Sequence, residues 1–77
     1  MHLRTAKQLA GPVPSEKVVT IRTASGSEEM IVHASQIDPK GIEVGLIAQS
    51  GDEVLVELPR ETLSGRWRVW VQKSAVE

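Results

Sequence analysis

The chain has 77 residues, with nine basic and ten acidic side chains, a net charge of −1 and no cysteine. A length of this order gives one small domain with a marginal core, and the missing thiols exclude disulfides, thiolate metal sites and cysteine nucleophiles. Interspersed, nearly balanced charge weighs against a phosphate-backbone binder, and no apolar run approaches the roughly 18 residues that span a bilayer.

Residues 1–15 close on Gly11-Pro12-Val13-Pro14-Ser15, where two prolines remove backbone donors and favour extended chain. Leu3, Ala6, Leu9 and Ala10 ahead of them share one helical stripe, but a helix this short is marginal unless it docks. The expectation is an N-terminal arm, extended or briefly helical, and mobile where nothing holds it. Met1–Ala10 is polar, without the apolar stretch of a signal peptide, and the absence of cysteine suits a reducing cytoplasm. A cytoplasmic, soluble protein is expected.

From Glu16 the apolar period is two, and residues 16–77 read as a single β domain. Lys17 to Thr23 and Met30 to Val32 are rich in β-branched residues on either side of Ala24-Ser25-Gly26-Ser27. With Ser25 and Gly26 as the turn, Val19 faces Val32 and Ile21 faces Met30 on one side. Arg22 then faces Glu29, Thr20 faces Ile31 and Val18 faces His33 on the other.

Gly41 to Ala48 reads as a connecting strand with Ile42, Val44 and Leu46 inward and Gly45 outward, where a missing side chain permits bending or close approach. Gln49-Ser50-Gly51-Asp52 turns it into Glu53–Leu58. After the loop Pro59 to Gly65, the chain returns through Arg66–Gln72. Facing Leu58 to Trp67, Val56 to Val69 and Val54 to Val71 puts all six on one side, with Glu57–Arg68 and Leu55–Trp70 on the other. Trp67 is thus expected as a core anchor and Trp70 as an outward aromatic.

Residues 16–38 and 52–77 resemble two copies of one hairpin unit. Met30 to Asp38 aligns with Val69 to Glu77, and each copy leaves its strand through a serine, an aliphatic residue and an acid. That exit is expected to tuck Ile37 and Val76 against the open end of the sheet, with Ser35 and Ser74 satisfying free backbone groups. The fold class expected is all-β, a small five-stranded antiparallel barrel or sandwich. An SH3-like, partly open barrel is the first choice, on strand number and length.

No nucleophile elbow, phosphate loop, zinc helix or glycine fingerprint occurs. His2 and His33 are the only soft ligands, so neither a metal nor a cofactor is expected. His33 is expected on an outer face at a strand end, and Glu28-Glu29 as solvated turn residues whose side chains point to opposite faces. Very short plasmid-encoded dihydrofolate reductases use SH3-like barrels with a Val-Gln-Ile-Tyr segment in the last strand. Val71-Gln72-Lys73-Ser74 is similar to it only in its first two residues, so the resemblance extends to size and fold class alone. No catalytic residue and no small-molecule substrate follow from the sequence.

Parity sends Ile31, Ile47, Leu55 and Trp70 to the outer side, a contiguous apolar surface unusual on a monomer. Arg66 and Arg68 flank Trp70 there, and an aromatic between guanidinium groups can hold a peptide or stack on a base. Small scaffolds without disulfides or metals are commonly supported by a partner chain. The expected function is a non-catalytic interaction or assembly module that self-associates through this face or binds a protein partner. The alternative is a small nucleic-acid-binding barrel using Arg60, Arg66, Arg68, Trp70 and Lys73, weakened by Glu57 and Glu61 in the same patch.

Overall fold

Alternating, β-branched stretches dominate the computed structural model, which describes residues 1–77. Strands take 57% of the chain and no α-helix forms. Nine strands follow one another: β1 (His2–Leu3), β2 (Lys7–Ala10), β3 (Glu16–Thr23), β4 (Gly26–His33), β5 (Ile37–Asp38), β6 (Gly41–Glu43), β7 (Gly45–Ser50), β8 (Glu53–Glu57) and β9 (Arg68–Gln72). They form three antiparallel sheets of three strands, ordered β1-β6-β5, β2-β3-β4 and β7-β8-β9. The protein is therefore all-β, built from three small sheets around a shared core. No helix is long and apolar enough to cross a membrane.

Twelve buried apolar residues make that core. Leu3 and Ile42 come from the first sheet, Val19, Ile21, Met30 and Val32 from the second, and Val54, Val56, Val69 and Val71 from the third. Each long strand buries every second residue, the period-two pattern of a half-covered sheet. The second and third sheets meet at a corner, where Ala24 N–H donates to Trp70 O at 2.8 Å.

The N-terminal fifteen residues do not form the short helix that their apolar spacing allows. Leu3 is fully buried while Leu9 is exposed, so the stripe never assembles. Leu3 instead pairs with Ile42 and forms a bridge to Val76, and β2 pairs with β3. Tertiary pairing of this segment outweighs the weak propensity of so short a helix.

The first hairpin keeps its expected faces but not its expected partners. Val19 stands opposite Met30, Lys17 opposite Val32, and Arg22 opposite Ser27. The register is two residues tighter than expected, so no Arg22–Glu29 pair forms. Ala24 and Ser25, the two central residues, lack the positive φ of a mirror-image turn; Gly26, which follows them and pairs with Thr23, has a φ of 131°. Thr23 secures the turn by donating its hydroxyl to Gly26 O at 2.9 Å and accepting Ser25 N–H at 3.3 Å.

The second hairpin has the expected pairs, Val54–Val71, Leu55–Trp70, Val56–Val69 and Glu57–Arg68. Trp67 departs from expectation: it is 54% exposed. Regular pairing stops at Glu57–Arg68 and Trp67 lies in a bend, so strand alternation no longer directs its side chain. Thr62, 3% exposed, turns inward in the intervening loop. The stretch 41–48 also divides. Ile42 and Val44 are buried as expected, but the chain leaves the first sheet after β6 and enters the third as β7. Leu46 is 51% exposed on that edge strand, and the register slips between Leu46 and Ala48, leaving Ile47 as the bulged residue. Gly45 meets nothing closer than ordinary contact with Glu57.

Candidate functional site

Loop 58–67 joins β8 to β9 and lies along the free edge of β4. Its anchors are spread along its length. Arg60 pairs with Glu16 at 3.6 Å, Leu63 N–H donates to Glu29 O at 2.8 Å, and Ser64 Oγ donates to Glu28 Oε1 at 2.5 Å. Arg66 lies 3.9 Å from Glu28. Within the loop, Thr62 N–H donates to Arg66 O and Thr62 Oγ1 accepts Arg66 N–H at 3.0 Å. A sheet edge left bare invites pairing with other chains, and this loop blunts that of β4.

Glu28 is not the solvated turn residue expected. Its side chain is 14% exposed, because it projects to the core side of β4 at the strand's open end. The Ser64 hydroxyl, then the Thr62 hydroxyl and the Arg66 guanidinium, hold its carboxyl below the ordinary carboxylate value, against an opposing effect of burial. The expected solvation overlooked partners 36 residues away.

Between this loop and β4 runs an open groove of about 600 Å³, with Ile31, Pro59, Leu63 and Trp67 among its walls and Arg60 and Glu61 at its side. Leu63 is 64% exposed, more than Trp67 itself. Of the six expected contact residues, only Ile31 lines this groove. Leu55 and Trp70 stand opposite each other on the outer face of the third sheet, both half-buried. Ile47 is exposed in the β7 bulge. Arg68 bonds Glu57 through Nε at 3.1 Å and Nη2 at 3.0 Å, and Arg66 turns toward Glu28. The other apolar walls of the groove are Pro59, Leu63 and Trp67, which alternation could not place. An apolar Leu63 amid Arg60-Glu61-Thr62 and Ser64-Gly65 was the available signal.

The histidines serve as local ties. His33 Nδ1 accepts Ser35 N–H at 3.1 Å and lies 2.7 Å from Ser35 Oγ, while His33 N–H donates to Gln36 Oε1 at 2.8 Å. Together these cap the 3-10 turn Ala34–Gln36. His2 Nε2 meets Asp38 Oδ2 at 2.7 Å, joining strands on either side of β6. No group of three or more His, Cys, Asp or Glu side chains converges as metal ligands would. The other exit serine, Ser74, contributes its carbonyl, which accepts from Arg4 Nη2 at 2.8 Å. No protein-family model, curated protein or solved structure matches this chain.

Proposed function

We propose that this domain is a non-catalytic assembly module that binds a second copy of itself through the groove of Ile31, Pro59, Leu63 and Trp67. We read its architecture as an SH3-like, partly open barrel, supported by three small antiparallel sheets sharing one core and joined at the Ala24–Trp70 corner. The observation that carries the functional reading is the exposed Trp67–Leu63 pair beside a half-buried Ile31. Tryptophan concentrates binding energy where a partner can desolvate it, and clustered apolar surface marks an interface.

A second copy suits the groove better than an unlike chain because Arg60 and Glu61 flank it together. A two-fold contact brings a patch against itself, and Glu61 of one copy then approaches Arg60 of the other, where it would share that cation with Glu16. The molecule measures 39 × 25 × 17 Å, and its broad side can supply the roughly 800 Å² per partner typical of stable complexes. Nucleic-acid binding through the Arg/Trp patch is disfavoured by its ion pairs, since Arg60, Arg66 and Arg68 each have a carboxylate partner.

Sedimentation velocity at micromolar concentration tests the proposal. The parent chain is expected as a dimer, and Trp67→Ala as a monomer with an unchanged circular dichroism spectrum. A compact monomer for the parent protein would refute self-association.

A further inference from the structure

Five arginines occur in the chain, and three of them are held by carboxylates. The two without an acidic partner, Arg4 and Arg22, line the same cavity. It has a volume of about 250 Å³, and its other walls are Thr5, Ala6 and Ala75. Arg4 belongs to the N-terminal segment expected as an arm, and the Arg22–Glu29 pair expected from alternation does not form.

The backbone brings them together. Arg4 follows the buried Leu3, and its N–H donates to Ala75 O at 2.9 Å. Its Nη2 donates to Ser74 O at 2.8 Å, so the guanidinium is fixed while its remaining N–H groups stay free of protein acceptors. Ala6 N–H donates to Thr20 O at 2.8 Å, which carries Thr5 along β3 toward Arg22. Ala6 and Ala75 have side chains too small to fill the space between the first and second sheets. Thr5 Oγ1 accepts from Gln8 Nε2 at 3.0 Å, leaving the hydroxyl proton available to donate.

Both arginines line one cavity and no acid does, so an anion entering it meets two positive charges and no negative one. The planar donor forks of the guanidinium groups match the oxygens of a phosphate, and two positive charges match its dianion. The space is open to solvent on one side, so a group attached to a bound phosphate can extend out of it.

We propose that Arg4, Arg22 and Thr5 form a binding site for a phosphate group. This site is separate from the groove and independent of self-association. The phosphate can be free or part of a polynucleotide, and two titrations distinguish these sources. Isotope-labelled protein is titrated at constant ionic strength with inorganic phosphate, and separately with a single-stranded oligonucleotide. Resonances of the Arg4 and Arg22 Nε–H groups and the Thr5 amide are followed, with chloride as control.

Saturable shifts at these groups are expected, with affinity lowered about ten-fold or more in Arg22→Gln. Arg22 bears no fold-holding bond, so that variant stays folded; Arg4→Lys supplies a second reading that keeps charge but loses the fork. Response to inorganic phosphate alone supports a small-anion site. A stronger response to the oligonucleotide, also lost in Arg22→Gln, supports the site and places the phosphate on a polynucleotide. No saturable shift with either ligand, or an identical response in Arg22→Gln, overturns the proposal.

Discussion

Thr62 is buried and Trp67, expected as a core anchor, is exposed, and both placements have measurable consequences. Trp67 is more than half exposed, so Trp67→Ala is expected to change monomer stability by no more than about 1 kcal/mol. Truncating a buried tryptophan would cost about 3–5 kcal/mol. Denaturant titration of the dissociated protein separates these values. Thr62→Val keeps the shape but leaves Arg66 N–H without its hydroxyl acceptor, for an expected loss of about 1–3 kcal/mol.

Glu28 adds a pH dependence. Its folded-state carboxyl is held below the ordinary value of 4.5, first by the Ser64 hydroxyl. The folded protein therefore binds a proton here less readily than the unfolded chain. The resulting stabilisation is fully present above pH 4.5 and declines as acid takes the pH down through the lowered value. Melting temperature measured across this range should fall less steeply in Glu28→Gln than in the parent chain. Equal slopes would remove Glu28 as the source.

At the scale of elements, the two hairpins show what side-chain alternation can resolve. Val54, Val56, Val69 and Val71 pair as their pattern requires, and Ile37 and Val76 pack against the core after their 3-10 turns. Those turns, Ala34–Gln36 and Lys73–Ala75, fall at aligned positions of the two units. The first hairpin differs because a shift of two residues leaves every side chain on its own face. Val19 meets an apolar partner whether that partner is Met30 or Val32, so periodicity is blind to the choice and turn geometry decides it. The groove was less legible still. Ile31 could be named from parity, whereas Leu63 and Trp67 lie where no strand period operates.

Gly41 shows how closely the small elements approach. Its φ is 123°, and a Cβ there would lie 2.0 Å from Leu3 O. Gly41→Ala is therefore expected to displace β1 from β6 and lower stability by more than about 1 kcal/mol, since strain adds to steric exclusion. Amide exchange at Val44, whose N–H donates to Met1 O, provides the local measurement. Protection as in the parent would show that β1 had not moved.

For the whole molecule, the core draws on all three sheets, so its stability depends on contacts distant in sequence. Ile21, fully buried in the second sheet, tests this: Ile21→Ala should cost about 2–5 kcal/mol, a large share of the stability of a domain this size. A single cooperative transition, shifted equally by near- and far-ultraviolet signals, is the expected readout. Separate transitions would mean that the sheets unfold independently.

His2 and Glu77 exchange two backbone hydrogen bonds, N–H to O at 2.8 Å and 3.0 Å. On a ribosome, β1 can pair with β6 before Val76 and Glu77 have emerged, but its second edge stays open until they do. Until then Leu3 has no Val76 beside it, and one end of the nascent core stays wet. Closure is a late, long-range event, paced by translation and loop entropy rather than by hairpin formation.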